Sequence, residues 1–142
     1  MTSGPIASDR VASELAYLDA SAFIKLVLDE PESQAFEDVS RPFEWTSSAI
    51  LEVEATLGMR RRQPALVDDV RALLGGVRLV DVDADIRATA GGLPDPGLRA
   101  LDAIHLATAL SLGERCGAFF AYDDRLIAAA RAHGLTVTVP RP

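Results

Sequence analysis

Four short segments of the chain each place a carboxylate beside apolar residues. They span residues 17–21, 51–55, 101–105 and 122–126. Acids that gather near a protein core repel one another and lose hydration, so their charge has to be compensated. A divalent cation is the simplest compensation, and hard cations such as Mg²⁺ bind oxygen ligands. The segments therefore predict a metal-dependent hydrolase with a carboxylate site.

In the second segment, helix geometry favours Glu54 over Glu52 as the functional acid. At about 100° per residue, Ile50, Val53 and Leu57 are expected to form the apolar face of the helix. Glu54 then lies about 40° from Ile50, beside that face, whereas Glu52 points to water. A carboxylate held against a core is costly without a partner, so Glu54 is the candidate ligand.

The other three acids each have a structural alternative. Asp19 follows a predicted strand and could cap the next helix, but Ser21 is expected to supply that cap. Asp102 lies in the first turn of a helix, where the macrodipole stabilises any acid. Asp123 and Asp124 can both cap the last helix, and Asp123 is closer to the preceding strand.

His105 follows Asp102 by one helical turn and is expected on the same side of the helix. It either orients Asp102 or is an ordinary helix histidine with its hydrogen bonds satisfied, and the second interpretation is preferred. The Arg60-Arg61-Arg62 run ends a helix, where positive charge is favourable without any role in RNA binding.

Strands and helices alternate along the chain, which predicts a parallel sheet covered on both faces. The predicted strands lie near residues 16–18, 44–46, 77–80, 118–121 and 135–139. The predicted helices lie near residues 21–28, 31–39, 48–62, 64–74, 83–90, 98–112 and 125–132. Ligands of open α/β sheets bind outside the carboxyl ends of the strands. The four acids are therefore expected at the carboxyl edge of the sheet.

Composition bounds the class of protein. A chain of 142 residues is long enough for one domain with a core, assigned to 15–142, after an extension at 1–14 that is expected to be flexible. The net charge of −7 argues against broad charge-driven nucleic-acid binding without excluding a nucleic-acid enzyme. The sequence predicts no membrane span and no signal peptide. The lone Cys116 suits a reducing cytoplasm, and the two separate histidines argue against a Cys/His zinc site.

The order of the four segments resembles that of PIN-domain proteins, and most of all the VapC toxins of bacterial type II toxin–antitoxin modules. The resemblance runs from about Tyr17 to Val139, and Leu-Asp-Ala-Ile-His-Leu-Ala at 101–107 is its most specific part. It implies a PIN-like three-layer α/β/α fold with a central parallel sheet of about five strands. The catalytic and metal-binding acids of the family map onto Asp19, Glu54, Asp102 and Asp123.

The resemblance also carries smaller features of the site. The small hydroxyl residue near the first acid maps to Ser21. Many members have Thr or Ser where this chain has Ala121, so one polar contact near Asp123 is expected to be absent. An arginine near the cleft, Arg99 or Arg125, is expected to offset phosphate charge.

The function implied by the resemblance is that of a Mg²⁺- or Mn²⁺-dependent endoribonuclease. Such a toxin acts on RNA, is covered by a cognate VapB-like antitoxin, and forms a homodimer or a hetero-oligomer with the antitoxin. One alternative is a non-catalytic PIN-like module that binds RNA or protein. Another is a receiver-like or phosphatase-like protein that forms an aspartyl phosphate. Such phosphatases commonly need a second Asp two residues after the nucleophile, and Ser21 occupies that place here.

Overall fold

The computed structural model describes residues 15–142, and the predicted extension at 1–14 lies outside the described residues. The strands are β1 (Leu15–Leu18), β2 (Glu44–Ser48), β3 (Arg78–Val80), β4 (Cys116–Phe120) and β5 (Val137–Thr138). The α-helices are α1 (Ala20–Ile24), α2 (Ser33–Ser40), α3 (Ile50–Arg62), α4 (Val67–Leu74), α5 (Ala84–Gly91), α6 (Ala100–Ser111) and α7 (Asp124–Ala132). Short 3₁₀ turns at Pro64–Leu66 and Gly113–Arg115 precede α4 and β4.

The five strands form one parallel sheet in the order β3-β2-β1-β4-β5. The first strand of the chain is therefore the central one, paired with β2 on one side and with β4 on the other. This arrangement confirms the predicted α/β architecture. Since all strands run in the same direction, their carboxyl ends meet at one edge of the sheet.

Helices cover both faces of the sheet because side chains alternate along each strand. On one face, Tyr17 and Phe119 pack against residues of α6 and α7 such as Leu106 and Leu126. On the other face, the alternate residues of β1 and β4 pack against Ala22 of α1 and Phe36 of α2. These strand residues are Ala16, Leu18, Ala118 and Phe120. Burial on both faces makes the central strands apolar throughout, as expected for a parallel sheet.

The helix after β1 is shorter than its predicted extent of about residues 21–28. After Ile24 the chain continues in successive i→i−3 turns, with Lys25 N–H on Ala22 O and Leu26 N–H on Phe23 O. A third apolar cluster, formed by α1, α3 and α4, fixes the place of α3 relative to the sheet. Among the described residues, no helix has the length and apolar character needed to cross a bilayer.

Candidate active site

Asp19 is the first residue after the central strand, at the carboxyl edge of the sheet. Its carboxylate Oδ1 accepts a hydrogen bond of 2.8 Å from Ala22 N–H, which makes Asp19 the N-cap of α1. The expectation that Ser21 caps this helix is therefore wrong. The backbone of Asp19 is still extended as it leaves the strand, so its short side chain reaches the exposed N–H, whereas Ser21 is already inside the helix.

Ser21 instead joins two strand ends. Its hydroxyl donates to Asp19 Oδ1 at 2.7 Å and accepts from Tyr122 N–H at 2.9 Å. Asp19 N–H in turn donates to Phe120 O at 3.2 Å. These bonds hold the segment after β1 against the segment after β4, so Asp19 and the residues around Asp123 occupy one locality.

Glu54 lies in the second turn of α3 and is half-buried, whereas Glu52 is exposed. The choice of Glu54 over Glu52 thus agrees with their burial, but the face used to reach it is wrong. Val53 and Leu57 are 51% and 46% exposed. The buried residues of α3 are Leu51, Ala55 and Met59.

The other two acids stand at helix starts that border the same edge. Asp102 is half-buried in the first turn of α6. Asp123 follows β4 and is exposed. The Asp123 carboxylate accepts from Arg125 N–H at 3.0 Å, so Asp123, and not Asp124, is the N-cap of α7.

The charges of these acids act on one another, with Asp102 at the centre. Burial raises the pKa of Asp102, and the negative charges of Asp123 and Glu54 raise it further, while His105 and Arg99 oppose them. Burial also raises the pKa of Asp19 to about 6, and the negative charge of Asp102 adds to the rise. His105 and the hydrogen bonds from Ser21 and Ala22 act in the opposite direction and lower this pKa. Four acids from four distant segments therefore share one electrostatic environment.

His105 has a role in this site that its sequence position does not reveal. The ring is 1% exposed, with Nε2 at 2.6 Å from Glu54 Oε1 and Nδ1 at 2.7 Å from Tyr17 Oη. It is thus tied to Glu54, an acid on another helix, although the sequence placed it beside Asp102. Tyr17 was not identified from the sequence at all, because a tyrosine in a buried strand is typical of a core.

No lysine or arginine compensates the acids directly. Within residues 15–142, every salt bridge to a lysine or arginine involves other carboxylates, and the one to Glu54 comes from His105. Arg99 and Arg125 are exposed at the starts of α6 and α7, next to Asp102 and Asp123.

The chemistry of this donor set fits a hard divalent cation. The acids provide only oxygen ligands, and two of them have raised pKa values because their negative charge is desolvated and crowded. In the part of the chain that the structure describes, no three His, Cys, Asp or Glu side chains converge to hold an ion directly. A divalent cation at this edge would therefore be bound by one or two of the carboxylates directly and by the others through water.

Comparison with known proteins identifies the family of the chain. The family model for the PIN domain matches residues 16–135. Ribonuclease VapC35 of Mycobacterium tuberculosis H37Rv is 40% identical over 131 residues, which cover 89% of this chain and 97% of that protein. Ribonuclease VapC46 of the same strain is 39% identical over 125 residues, covering 87% of this chain and 96% of that protein.

A solved structure has the same fold. The crystal structure of VapC20 from Mycobacterium tuberculosis, described as a toxin that cleaves the sarcin–ricin loop, superposes with a TM-score of 0.70. The superposition covers 89% of this chain and 99% of that chain at 18% sequence identity. At this identity the likeness concerns the fold.

Proposed function

The chain belongs to the PIN-domain family and, within it, to the VapC ribonucleases, and from this membership we propose that Asp19, Glu54, Asp102 and Asp123 form the site at which it cleaves RNA as an endoribonuclease. The observation that carries the proposal is the set of hydrogen bonds that joins the four segments: Ser21 links Asp19 to the Tyr122 N–H beside Asp123, and His105, on the helix of Asp102, bonds Glu54. The electrostatic effect of the acids on one another supports it. Asp102 interacts with all three of the others, although they come from four separate segments. A fold without a use for this concentrated charge would gain stability by neutralising it.

We assign Mg²⁺ or Mn²⁺ to these carboxylates, with some of the four binding it through water. When bound there, the cation supplies positive charge to the scissile phosphodiester and lowers the pKa of a water molecule for in-line attack. Hydrogen bonds hold the side chains of the site in defined orientations. Ala22 N–H and Ser21 Oγ fix the carboxylate of Asp19, and His105 holds that of Glu54.

The exposed groups of the site receive the RNA. Asp123 is exposed, so that RNA in solution can reach it, whereas Asp19 is buried. The guanidinium groups of Arg99 and Arg125 offset the phosphate charge that the acids would otherwise repel. Because the whole chain carries a net charge of −7, this local positive charge matters for approach of the RNA.

We propose the biological setting from the same membership. The chain is the toxin of a type II module, acting in the cytoplasm until a cognate VapB-like antitoxin covers its site. We propose that it forms a homodimer and a hetero-oligomer with the antitoxin. Co-expression with the protein encoded beside it, followed by light scattering of the purified complex, tests the partner and the stoichiometry together.

The activity is tested by incubating the purified protein with total cellular RNA, in Mn²⁺ and then in EDTA. We expect discrete cuts that disappear in EDTA and that the Asp102→Asn variant reduces by more than about 100-fold, beyond the usual cost of losing an outer-sphere partner. Asp83→Asn is the matched control. Asp83 caps α5 and is not among the groups that shift the pKa of Asp19 or Asp102, and Asn caps a helix as well as Asp does.

The control variant should cleave at the rate of the unmodified protein. Cleavage that persists in EDTA, or that survives Asp102→Asn, contradicts the proposed carboxylate site. If the protein binds RNA but cuts none of it under any of these conditions, the non-catalytic PIN-like module is the better description.

A further inference from the structure

The imidazole of His105 is a buried polar group with both nitrogens engaged by side chains. Nδ1 lies 2.7 Å from Tyr17 Oη and Nε2 lies 2.6 Å from Glu54 Oε1. These contacts join residues that are 88 and 51 positions apart in sequence. They form a continuous chain from the central strand, through α6, to the acid on α3.

The chemistry of the partners sets the direction of the hydrogen bond to Glu54. An ionised carboxylate only accepts, so we assign the ring proton to Nε2, which donates to Glu54. The Tyr17 hydroxyl can donate or accept, so it satisfies Nδ1 whether or not that nitrogen carries a proton.

Tyr17 is a rigid anchor for this chain of bonds. It is fully buried in β1, and its ring stacks on Phe119 with the centroids 5.4 Å apart and the planes 2° from parallel. His105 meets the same tyrosine ring edge-on at a centroid distance of 5.8 Å. The position of the imidazole is therefore determined by the centre of the sheet.

The helix that carries Glu54 does not hold the carboxylate by itself. The neighbouring Val53 and Leu57 are largely exposed, and the Glu54 side chain retains 18% of its accessible surface. In residues 15–142, the bond from His105 is the one hydrogen bond that the carboxylate receives, and it engages Oε1. Fixing a freely rotating glutamate side chain costs up to about 2 kcal/mol of conformational entropy. The bond from His105 fixes the Glu54 side chain before any ligand binds.

We propose that His105, anchored by Tyr17, is a positioning residue that orients the Glu54 carboxylate toward the cation site, an inference that rests on the proposed function of Glu54. The bond to Oε1 leaves Oε2 without a hydrogen bond among the described residues. A histidine with a purely structural role needs partners for its two nitrogens, but it does not need an acid of the site as one of them.

The test compares two substitutions of His105 by Mn²⁺ titration calorimetry on RNA-free protein. His105→Leu removes the donor at similar volume, and we expect it to weaken Mn²⁺ binding by about 10- to 100-fold, the usual cost of losing such a partner. His105→Gln places an amide N–H near the position of Nε2 and should restore most of the affinity. In cleavage assays the loss should fall on kcat, with KM for RNA nearly unchanged.

A double-mutant cycle separates positioning from folding. If His105 acts through Glu54, adding His105→Leu to Glu54→Gln should cause little further loss of Mn²⁺ affinity. If His105 only supports the fold, its effect on affinity should be as large in the Glu54→Gln background as alone. That second result would overturn the inference, as would wild-type affinity and kcat in folded His105→Leu.

Tyr17→Phe keeps the test decisive if His105→Leu fails to fold, because it removes one hydroxyl and keeps the stacked ring. We expect a smaller loss of Mn²⁺ affinity in the same direction. Tyr122→Phe is its matched control, since it also removes one hydroxyl hydrogen bond, the 2.7 Å bond to Pro140 O, without touching Glu54 or His105. Equal Mn²⁺ affinities for the two variants would contradict the role of Tyr17.

Failure of this inference differs from failure of the proposed function. Should the unmodified protein bind no Mn²⁺ and cut no RNA, the carboxylate site itself is wrong. Should it do both, and lose both in Asp102→Asn while the His105 and Tyr17 variants match the unmodified protein, only the positioning role is wrong.

Discussion

Asp19 and Asp83 are two aspartates in nearly the same backbone conformation with different surroundings. Each follows a strand, caps a helix, and accepts from the N–H three residues later. Asp19 is 4% exposed with a pKa raised to about 6, whereas Asp83 is exposed. The cap therefore explains the residue type at both positions, but it does not explain why one of the two is buried beside other acids.

Asp19→Asn should stabilise the cation-free protein near neutral pH while abolishing cleavage. The amide keeps the cap, and it removes a charge whose burial costs about 1–3 kcal/mol on the scale of its pKa shift. Urea denaturation in EDTA measures the gain.

Asp83→Asn loses the same charge–dipole interaction and should change the free energy of unfolding by no more than about 0.5 kcal/mol. If Asp19→Asn raises the free energy of unfolding no more than Asp83→Asn does, the buried charge of Asp19 does not destabilise the cation-free protein.

At the scale of elements, the alternation of strands and helices was enough to predict the sheet. Parallel strands buried on both faces are continuous apolar runs, and β1 and β4 carry that signal locally. Helix caps were less predictable, because Asp19 and Ser21 are both good caps and only the backbone at the strand exit decides between them.

The site was only partly predictable for a related reason. Glu54 is more buried than Glu52, as the sequence predicts, yet the apolar face on which that prediction rests is exposed in the structure. Within α3, Val53 and Leu57 have the periodicity of a core face, and only tertiary packing selects Leu51 instead. The contact of His105 with Glu54 is wholly tertiary, so no local pattern carries it.

The packing of α3 can be tested by paired truncations. Leu51→Ala should lower the free energy of unfolding by about 2–5 kcal/mol, because it opens a cavity in the cluster shared by α1, α3 and α4. Leu57→Ala should cost less than about 1 kcal/mol, because half of that side chain is already exposed. Denaturant midpoints of the two variants give the comparison. Equal losses would mean that the apolar face expected from the sequence is the buried one.

At the scale of the whole molecule, the acids of the site link stability to pH and to cations. The folded state raises the pKa of Asp19 from its ordinary value of 3.8 to about 6, so it binds the proton more tightly than the unfolded chain does. This contribution to stability is fully present below the unfolded pKa and is lost as the pH rises through the folded pKa. Asp102 shifts in the same direction.

Cation binding should therefore stabilise the protein in a pH-dependent way. Only ionised carboxylates bind the ion, so the increase in Tm caused by Mn²⁺ should be small near about pH 5 and should grow as the pH passes through about 6. Thermal melts with Mn²⁺ and with EDTA across this range measure it. A Tm increase that is the same at both ends of the range, or that persists in Asp19→Asn, would argue against binding at these acids.

The position of β1 at the centre of the sheet has a consequence for synthesis of the protein. The ribosome makes Asp19 early, but β4, the strand that pairs with β1 on one side, comes near the end, and Ser21 meets the Tyr122 N–H 101 residues later. A nascent or prematurely terminated chain thus has neither Asp123 nor the strand that brings it to Asp19. We therefore expect a chain that ends before β4 to lack the complete proposed site, and cleavage of RNA to begin only after β4 has been made and has paired with β1.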